Sequence, residues 1–319
     1  MPTPPVTRVQ DIAETHFGTV VRDPFRWLED ERSPEVQRWL DEQNAFARAH
    51  LEAMPERDAL TRRFTELYYL DAVGIPHRRG QRYFFARQYK DKEKAVVMWR
   101  DGAEGEERVL LDPNTWSADN TVSLGTWAPS WDGKKVVFAE KPNAADEATL
   151  YVLDVDTGTR SAVDVITGAK YASPSWAPDS KSFVYGWLPT DPSIATSERP
   201  GFCEVRHHVL GQDPANDAVL HQRTGDPKTF IGGGLSRDGH WLFVSIQRGW
   251  NENDLFFKRV GVDTAWRVLI RGVDAKYSVE AWRDVFYVFT DEGAPNKRVF
   301  AVDPEHPERN QWQLLIDED

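Results

Sequence analysis

The 319-residue sequence is poor in cysteine and has no long apolar segment. Its one cysteine, Cys203, cannot form an internal disulfide, which agrees with a reducing compartment. No apolar run approaches the roughly 18 residues that a membrane-spanning helix needs, and the amino-terminal residues lack the basic and apolar parts of a secretory signal. The sequence therefore predicts a soluble, cytoplasmic protein without a membrane partner.

Basic residues are scarce relative to acidic ones. Lys and Arg total 39 against 51 Asp and Glu, which gives a formal net charge of −12. Nucleic acids and anionic membranes are bound through clustered Lys and Arg that displace counterions. The composition therefore argues against a nucleic-acid partner.

Motifs for catalysis and metal binding are also missing. The sequence contains no Gly-x-Ser-x-Gly string, which forms the nucleophile turn of many serine hydrolases, and the nearest string places Ser236 in a predicted strand turn. His207 and His208 are adjacent, so on a strand they point to opposite faces and cannot bind one metal together. We therefore predict no cofactor, no metal site and no catalytic residue in this chain, and treat Cys203 as an ordinary small side chain.

The sequence is rich in aromatic residues, including 13 tryptophans, and repeats a strand-turn-strand pattern. In the clearest copy, Trp127–Phe138, Asp132 and Gly133 form a tight turn between two segments rich in β-formers. The turn residues of five copies are separated by 53, 47, 59 and 45 positions: Gly80, Gly133, Ser180, Gly239 and Asp284. Four-stranded propeller blades repeat at roughly 40 to 50 residues. The spacing therefore predicts five visible blades of a mainly β propeller.

Further strands are predicted inside the repeats. Four segments in later parts of the units are typical of outer strands: Thr149–Asp154, Glu204–Leu210, Asp254–Val260 and Arg298–Asp303. A segment from Trp312 to Ile316 would complete the fifth unit. The longest polar stretch without a strand pattern, Leu188–Phe202, predicts a mobile loop.

Residues 1–71 have a helical pattern instead. Ser33 followed by Pro34 predicts a helix start, and this helix would end near Pro55. Its apolar residues fall at three- and four-residue steps: Val36, Trp39, Leu40, Phe46, Ala47, Leu51 and Met54. A second helix from about Asp58 to Tyr69 would cover only part of that apolar face, so we expect a packing partner elsewhere.

The combination of Asp23–Asp30, Trp39–Leu40 and Gln43–Asn44 with propeller repeats resembles the amino-terminal half of the prolyl oligopeptidase family. The resemblance runs over essentially all 319 residues. It implies a seven-bladed propeller that caps an α/β-hydrolase domain, to which residues 1–71 would contribute a helical segment. Residues 72–319 would then be an incomplete propeller, and the chain a fragment without the catalytic Ser, Asp and His.

The resemblance also implies roles for individual residues. Tyr171, Ile231 and Trp250 match positions that line a substrate pocket beyond the proline site, and Asp146 matches an acidic residue facing an arginine of the hydrolase domain. Ordinary blade packing, or a turn in the case of Asp146, is the alternative interpretation of these residues.

The family implies that the complete protein is a monomeric serine endopeptidase that cleaves short peptides on the carboxyl side of proline. Its partners would be short proline-containing peptides and the missing hydrolase domain. The propeller would restrict access, and Leu188–Phe202 would help to gate it. The alternative is a self-contained five-bladed propeller that binds a partner without peptidase activity. Against that alternative, the helix face with Trp39, Leu40 and Phe46 would then be exposed.

Overall fold

The chain divides into two units, one ending at Leu70 and the other spanning Asp71–Asp319, in a computed structural model that describes residues 3–319. The first unit holds a hairpin and two helices: β1 (Ala13–His16), β2 (Thr19–Arg22), α1 (Pro34–Glu52) and α2 (Arg57–Tyr68). None of the helices in residues 3–319 is long and apolar enough to cross a membrane. Short 3-10 turns lie at Arg26–Glu29, Pro113–Thr115, Pro142–Ala144, Arg199–Phe202, Pro214–Asn216 and Arg309–Gln311.

Helix α1 begins as predicted. The Ser33 side chain accepts a hydrogen bond from the Val36 backbone N–H at 3.1 Å, and Pro34 occupies the first helical position. These contacts satisfy one of the amide groups that a helix start leaves unpaired.

The apolar faces of both helices remain largely uncovered. Val36 is the buried residue of α1, and the exposed fractions of Leu60, Phe64 and Leu67 on α2 are 51%, 65% and 54%. Apolar surface of this extent is typical of a face that packs against another domain.

The second unit contains five antiparallel sheets, and in the second to fifth of these the neighbouring strands follow one another in the sequence. The first sheet comprises β3 (Ala72–Val73), β4 (His77–Arg79), β5 (Arg82–Gln88), β6 (Val96–Asp101) and β7 (Arg108–Leu111), with β3 and β4 both paired to β5. The second comprises β8 (Ser123–Pro129), β9 (Lys135–Lys141), β10 (Thr149–Asp154) and β11 (Arg160–Thr167). The third comprises β12 (Ser175–Trp176), β13 (Ser182–Trp187), β14 (Glu204–Val209) and β15 (Ala218–His221).

The fourth and fifth sheets follow the same order. They comprise β16 (Thr229–Leu235), β17 (Trp241–Arg248), β18 (Glu252–Arg259) and β19 (Arg267–Ile270), then β20 (Tyr277–Trp282), β21 (Val285–Thr290), β22 (Arg298–Val302) and β23 (Gln313–Ile316). This arrangement confirms the prediction of a mainly β chain with five propeller blades. The four segments predicted as outer strands are third strands (β10, β14, β18 and β22), because each is followed by a fourth strand at the outer edge.

The five predicted turn residues all adopt the left-handed backbone conformation. The φ angles of Gly80, Gly133, Ser180, Gly239 and Asp284 are 57°, 72°, 60°, 75° and 58°. Two of these turns also interlock, since a Cβ atom on Gly80 would lie 2.8 Å from the Asp132 carbonyl oxygen and one on Gly133 would lie 2.7 Å from the Arg79 carbonyl oxygen. Glycine is required at both positions by conformation and by space.

The core lies between consecutive blades. Separate clusters of buried side chains join blades one and two, two and three, three and four, and four and five. In the last of these, Trp241 is fully buried and meets the Phe286 ring edge-to-face, with the ring centres 5.0 Å apart. Each blade is therefore stabilised mainly by its neighbours.

A buried histidine links the second and third blades. His208 on β14 has no exposed side-chain surface, and its Nε2 lies 3.1 Å from Asp164 Oδ1 on β11. Its Nδ1 lies 2.9 Å from Asp217 Oδ1, and the Tyr185 hydroxyl donates to Asp217 Oδ2 at 2.8 Å. Because both ring nitrogens face carboxylates, the geometry favours the doubly protonated ring.

The charge states in this link follow from opposing effects. Burial disfavours the charged imidazole, but hydrogen bonds to Asp217 and Asp164 outweigh it and raise the pKa of His208 above 6.5. Burial likewise disfavours the Asp164 carboxylate, but hydrogen bonds from Ser161, Gly211 and His208 lower its pKa below 3.8. The stabilisation from His208 is therefore complete below pH 6.5 and is lost as the pH rises through its raised pKa.

We expect Asp164→Asn to lower the free energy of unfolding of the β unit by about 2 kcal/mol at pH 6, because the hydrogen bond between the charged His208 ring and the Asp164 carboxylate is lost. The difference from the parent chain should shrink as the pH rises through the raised pKa of His208, where the folded ring loses its proton. Urea unfolding at pH 6 and at higher pH measures both effects, with the exposed Asp274→Asn as the matched control. An equal loss at all pH values would contradict a charged His208.

Candidate functional site

Three of the residues singled out in the sequence line one open cavity of about 630 Å³. Tyr171 lies in the connection between β11 and β12, Ile231 on β16, and Trp250 in the turn after β17. The remaining lining residues are Phe230, Gly232, Ser245, Gln247 and Gly249. The cavity thus forms where the third and fourth blades meet.

Aromatic side chains form the cavity's apolar wall. The Tyr171 and Phe230 rings meet edge-to-face with centres 5.3 Å apart, and each side chain is about two-fifths exposed. Trp250 is 84% exposed. A tryptophan this exposed beside other aromatic rings is typical of a ligand-binding surface, because its apolar area can be covered only by an incoming group.

Ile231 lines the cavity and also belongs to the core. It is 3% exposed and packs in the same cluster as Leu188 and Cys203. Ordinary packing between blades, the alternative to a pocket role, therefore also accounts for Ile231.

Polar groups lie on the adjacent part of β17. The Gln247 side-chain amide donates to the Gly249 carbonyl oxygen at 2.9 Å, and Ser245 Oγ accepts from Asn253 Nδ2 at 2.9 Å. An apolar wall beside a few fixed polar groups suits a ligand with both kinds of surface, such as a short peptide. Phe230, Ser245 and Gln247 were not singled out from the sequence; the proximity of Phe230 to Ile231 was the signal available.

Asp146 does not line this cavity. Its side chain is 75% exposed, and its carboxylate lies 3.6 Å from Lys170 Nζ and 3.9 Å from Lys141 Nζ. Lys170 Nζ in turn lies 5.5 Å from the centre of the Tyr171 ring. Exposed ion pairs of this kind contribute little to stability, so the Asp146 carboxylate is free to exchange partners.

The segment Leu188–Phe202 contains no strand, as predicted, and ends in the 3-10 turn Arg199–Phe202. Leu188 at its start is buried, as is Cys203 directly after it. Arg199 lies 3.5 Å from Glu147, and the segment borders Tyr171. Its mobility stays a prediction.

Catalytic groups do not come together in this part of the chain. Across residues 3–319, no serine hydroxyl is hydrogen bonded to a histidine ring, and Ser236 is a buried turn residue whose hydroxyl donates to Asp238 at 2.6 Å. No group of three His, Cys, Asp or Glu side chains in the described residues could hold a metal ion. Among the described residues, the lining of the cavity therefore carries no serine paired with a histidine.

A family model described as the prolyl oligopeptidase N-terminal β-propeller domain matches residues 4–319. The chain belongs to the prolyl oligopeptidase family. It corresponds to the non-catalytic amino-terminal part of the peptidases in that family, which confirms the resemblance and agrees with the lack of catalytic groups.

Similar proteins agree with this assignment. The chain is 27% identical over 315 residues to a prolyl endopeptidase of Elizabethkingia meningoseptica, covering 98% of this chain and 44% of that protein. It is 26% identical to a dual function macrocyclase-peptidase of Amanita bisporigera, covering 89% and 42% of the two chains. The chain thus spans less than half the length of these relatives.

Solved structures show the same fold. One comes from an analysis of two prolyl endopeptidases and of inter-domain dynamics in catalysis and specificity. It is 59% identical in sequence to this chain, with a TM-score of 0.95. The match covers 99% of this chain and 47% of that one. Prolyl oligopeptidase B of Galerina marginata, bound to a 25mer macrocyclization substrate, has a TM-score of 0.84 at 21% identity, with 99% and 48% covered. The latter likeness concerns the fold alone.

We expect Cys203 to resist thiol reagents in the folded chain. Burial raises the pKa of Cys203 to about 11, and its thiol donates to the Ile231 carbonyl oxygen at 3.7 Å. Roughly a thousandth of the thiol would then be ionised at pH 8. Labelling with a chromogenic disulfide should be slow in buffer and fast in urea. Fast labelling in buffer would instead show that Leu188–Phe202 opens readily.

Proposed function

We propose that this chain is the gating propeller of a serine endopeptidase that cleaves short peptides on the carboxyl side of proline. The supporting observation is the cavity between blades three and four, where Tyr171, Phe230 and Trp250 expose aromatic surface beside polar groups. In this proposal the cavity binds an apolar residue on the amino side of the proline. The nucleophile, its histidine and the oxyanion donors belong to the hydrolase domain.

The proposal assigns residues 1–71 to that hydrolase domain and residues 72–319 to an incomplete propeller of seven blades. The exposed apolar residues of α1 and α2 support this assignment, since a second domain would cover them. The relatives are also more than twice as long as this chain, since the match covers 44% of the Elizabethkingia meningoseptica protein, which leaves length for such a domain.

We further infer how substrate gains access and where the protein is located. Asp146, with its exposed carboxylate, would pair with an arginine of the hydrolase domain, and Leu188–Phe202 would move to admit substrate. The whole protein would be a cytoplasmic monomer, which suits a single buried cysteine that forms no disulfide.

The binding step can be tested on this chain. We expect a blocked tripeptide amide, Phe-Gly-Pro, to bind more tightly than Ser-Gly-Pro, because the cavity wall is aromatic. Trp250→Ala should weaken binding of the Phe peptide about tenfold, the usual cost of losing an aromatic contact in a binding site. Saturation-transfer NMR measures both affinities.

Trp282→Ala is the matched control, because Trp282 is a half-exposed tryptophan outside the cavity. It should leave peptide binding unchanged. Equal affinity for the Phe and Ser peptides, or full binding by Trp250→Ala, would contradict the proposed pocket.

A second expectation concerns activity. The 319-residue chain alone should not hydrolyse a Gly-Pro anilide, because no serine in residues 3–319 is hydrogen bonded to a histidine. A fluorescent fluorophosphonate added in parallel detects a contaminating hydrolase. Turnover that disappears in Ser236→Ala, with no labelled contaminant, would reveal a nucleophile in this chain and refute the proposal.

A further inference from the structure

Arginine and tryptophan side chains from four blades meet at the turns between first and second strands. The Arg79 guanidinium carbon lies 4.3 Å from the centre of the Trp131 ring, and that of Arg237 lies 5.6 Å from the same ring. Arg237 also lies 5.7 Å from the Trp282 ring, as does Arg283. We call these five residues the arginine-tryptophan cluster.

The three arginines of this cluster have no carboxylate partner within 4.0 Å among residues 3–319. Arg79 donates only to backbone carbonyl oxygens, those of Pro129 at 3.4 Å and Arg78 at 3.0 Å. An unpaired group of arginines stands out in a chain with a net charge of −12.

The acidic side chains of the same turns are engaged within those turns. Asp132 accepts hydrogen bonds from Ser130 Oγ at 2.6 Å and from the Lys134 backbone, while Asp238 accepts from Ser236 Oγ at 2.6 Å and from the His240 backbone. Asp284 accepts from Trp241 Nε1 at 3.3 Å. These carboxylates therefore cap backbone and side-chain donors and do not pair with the arginines.

The arginines also repel one another. Burial lowers the pKa of Arg79, and the positive charge of Arg237 lowers it further. Like charges held near each other destabilise the folded state, and an anion bound beside them would reduce that repulsion.

We propose that the arginine-tryptophan cluster binds a doubly charged oxyanion, of which the phosphate group is the simplest. A guanidinium offers paired N–H donors that match phosphate oxygens, and stacking on tryptophan holds its plane in position. The charge of one dianion would offset those of Arg79 and Arg237, whose guanidinium carbons lie 4.3 Å and 5.6 Å from the Trp131 ring centre. Trp282, whose side chain is 48% exposed, leaves room for an organic group attached to the phosphate.

This site is separate from the peptide cavity. Arg237 precedes β17 and Trp250 follows it, so the two sites lie at opposite ends of a strand of eight residues, which spans about 26 Å. A phosphate bound at the cluster would join the turns of blades one, two, four and five without occupying the cavity.

Titration of the 319-residue chain with inorganic phosphate tests the proposal. With ionic strength held constant by sodium chloride, about 5 mM phosphate should raise the melting temperature more than acetate does, at a concentration too low for general salting effects. Arg237→Gln should weaken phosphate binding about tenfold or more, because charge-assisted hydrogen bonds are lost. Arg271→Gln, which removes an exposed arginine elsewhere, should bind phosphate as the parent chain does.

Phenyl phosphate, titrated in parallel, distinguishes the sources of the group. Tighter binding than inorganic phosphate supports an organic phosphate that contacts Trp282, and equal binding supports the free ion. An equal effect of acetate, or unchanged phosphate affinity in Arg237→Gln, would overturn the proposal. If Arg237→Gln fails to fold, Arg237→Lys is the second variant, because it keeps the charge but loses the paired N–H donors. It should weaken phosphate binding. Unchanged phosphate affinity in that variant would also overturn the proposal.

Discussion

Each of the five sheets of the β unit depends on a neighbouring sheet to bury its apolar residues. A four-stranded antiparallel sheet with aromatic residues on both faces cannot stay folded alone, because both faces must leave water. The clusters between consecutive blades meet this need, as where Trp241 of one blade packs against Phe286 of the next. The remaining features of the β unit follow from this stacking.

The buried histidine, the aromatic cavity and the arginine-tryptophan cluster all lie at contacts between blades. The link through His208 joins blades two and three, and the aromatic cavity lies where blades three and four meet. The arginine-tryptophan cluster joins turns of four blades. Most side chains at strand centres are occupied by packing, so the surface that can meet a ligand lies mainly at strand ends and in the turns.

The repeated turn was predictable because its backbone conformation restricts the residues that can occupy it. The left-handed φ angles at these turns favour glycine and a few other residue types, so such residues recur at regular spacing in the sequence: Gly80, Gly133, Ser180, Gly239 and Asp284. The helix start at Ser33 was predictable for a similar reason, since capping is local.

The first hairpin was missed because its turn places Phe17 at a φ of 51°, where an aromatic residue is unusual. The position of the third strands within each blade was also predicted wrongly. A local pattern identifies β10 as a strand, but it does not show that β11 pairs on its outer side.

The sites were less accessible to sequence reasoning. Asp164 lies 44 positions from His208 in the sequence, and no local pattern marks the pair as neighbours. Tyr171, Ile231 and Trp250 were grouped by family resemblance, while the contact between Tyr171 and Phe230 depends on how two blades face each other. Contacts between blades are set by tertiary packing, which composition and periodicity do not encode.

The interlocked turns of the first two blades make neighbouring repeats dependent on one another in evolution. Any side chain at Gly133 would strike the backbone of the preceding blade at Arg79, and any side chain at Gly80 would strike the following blade at Asp132. A blade copied or exchanged singly would therefore carry only half of a matched pair. Duplication or grafting of blades in this architecture should proceed most readily when two adjacent repeats move together.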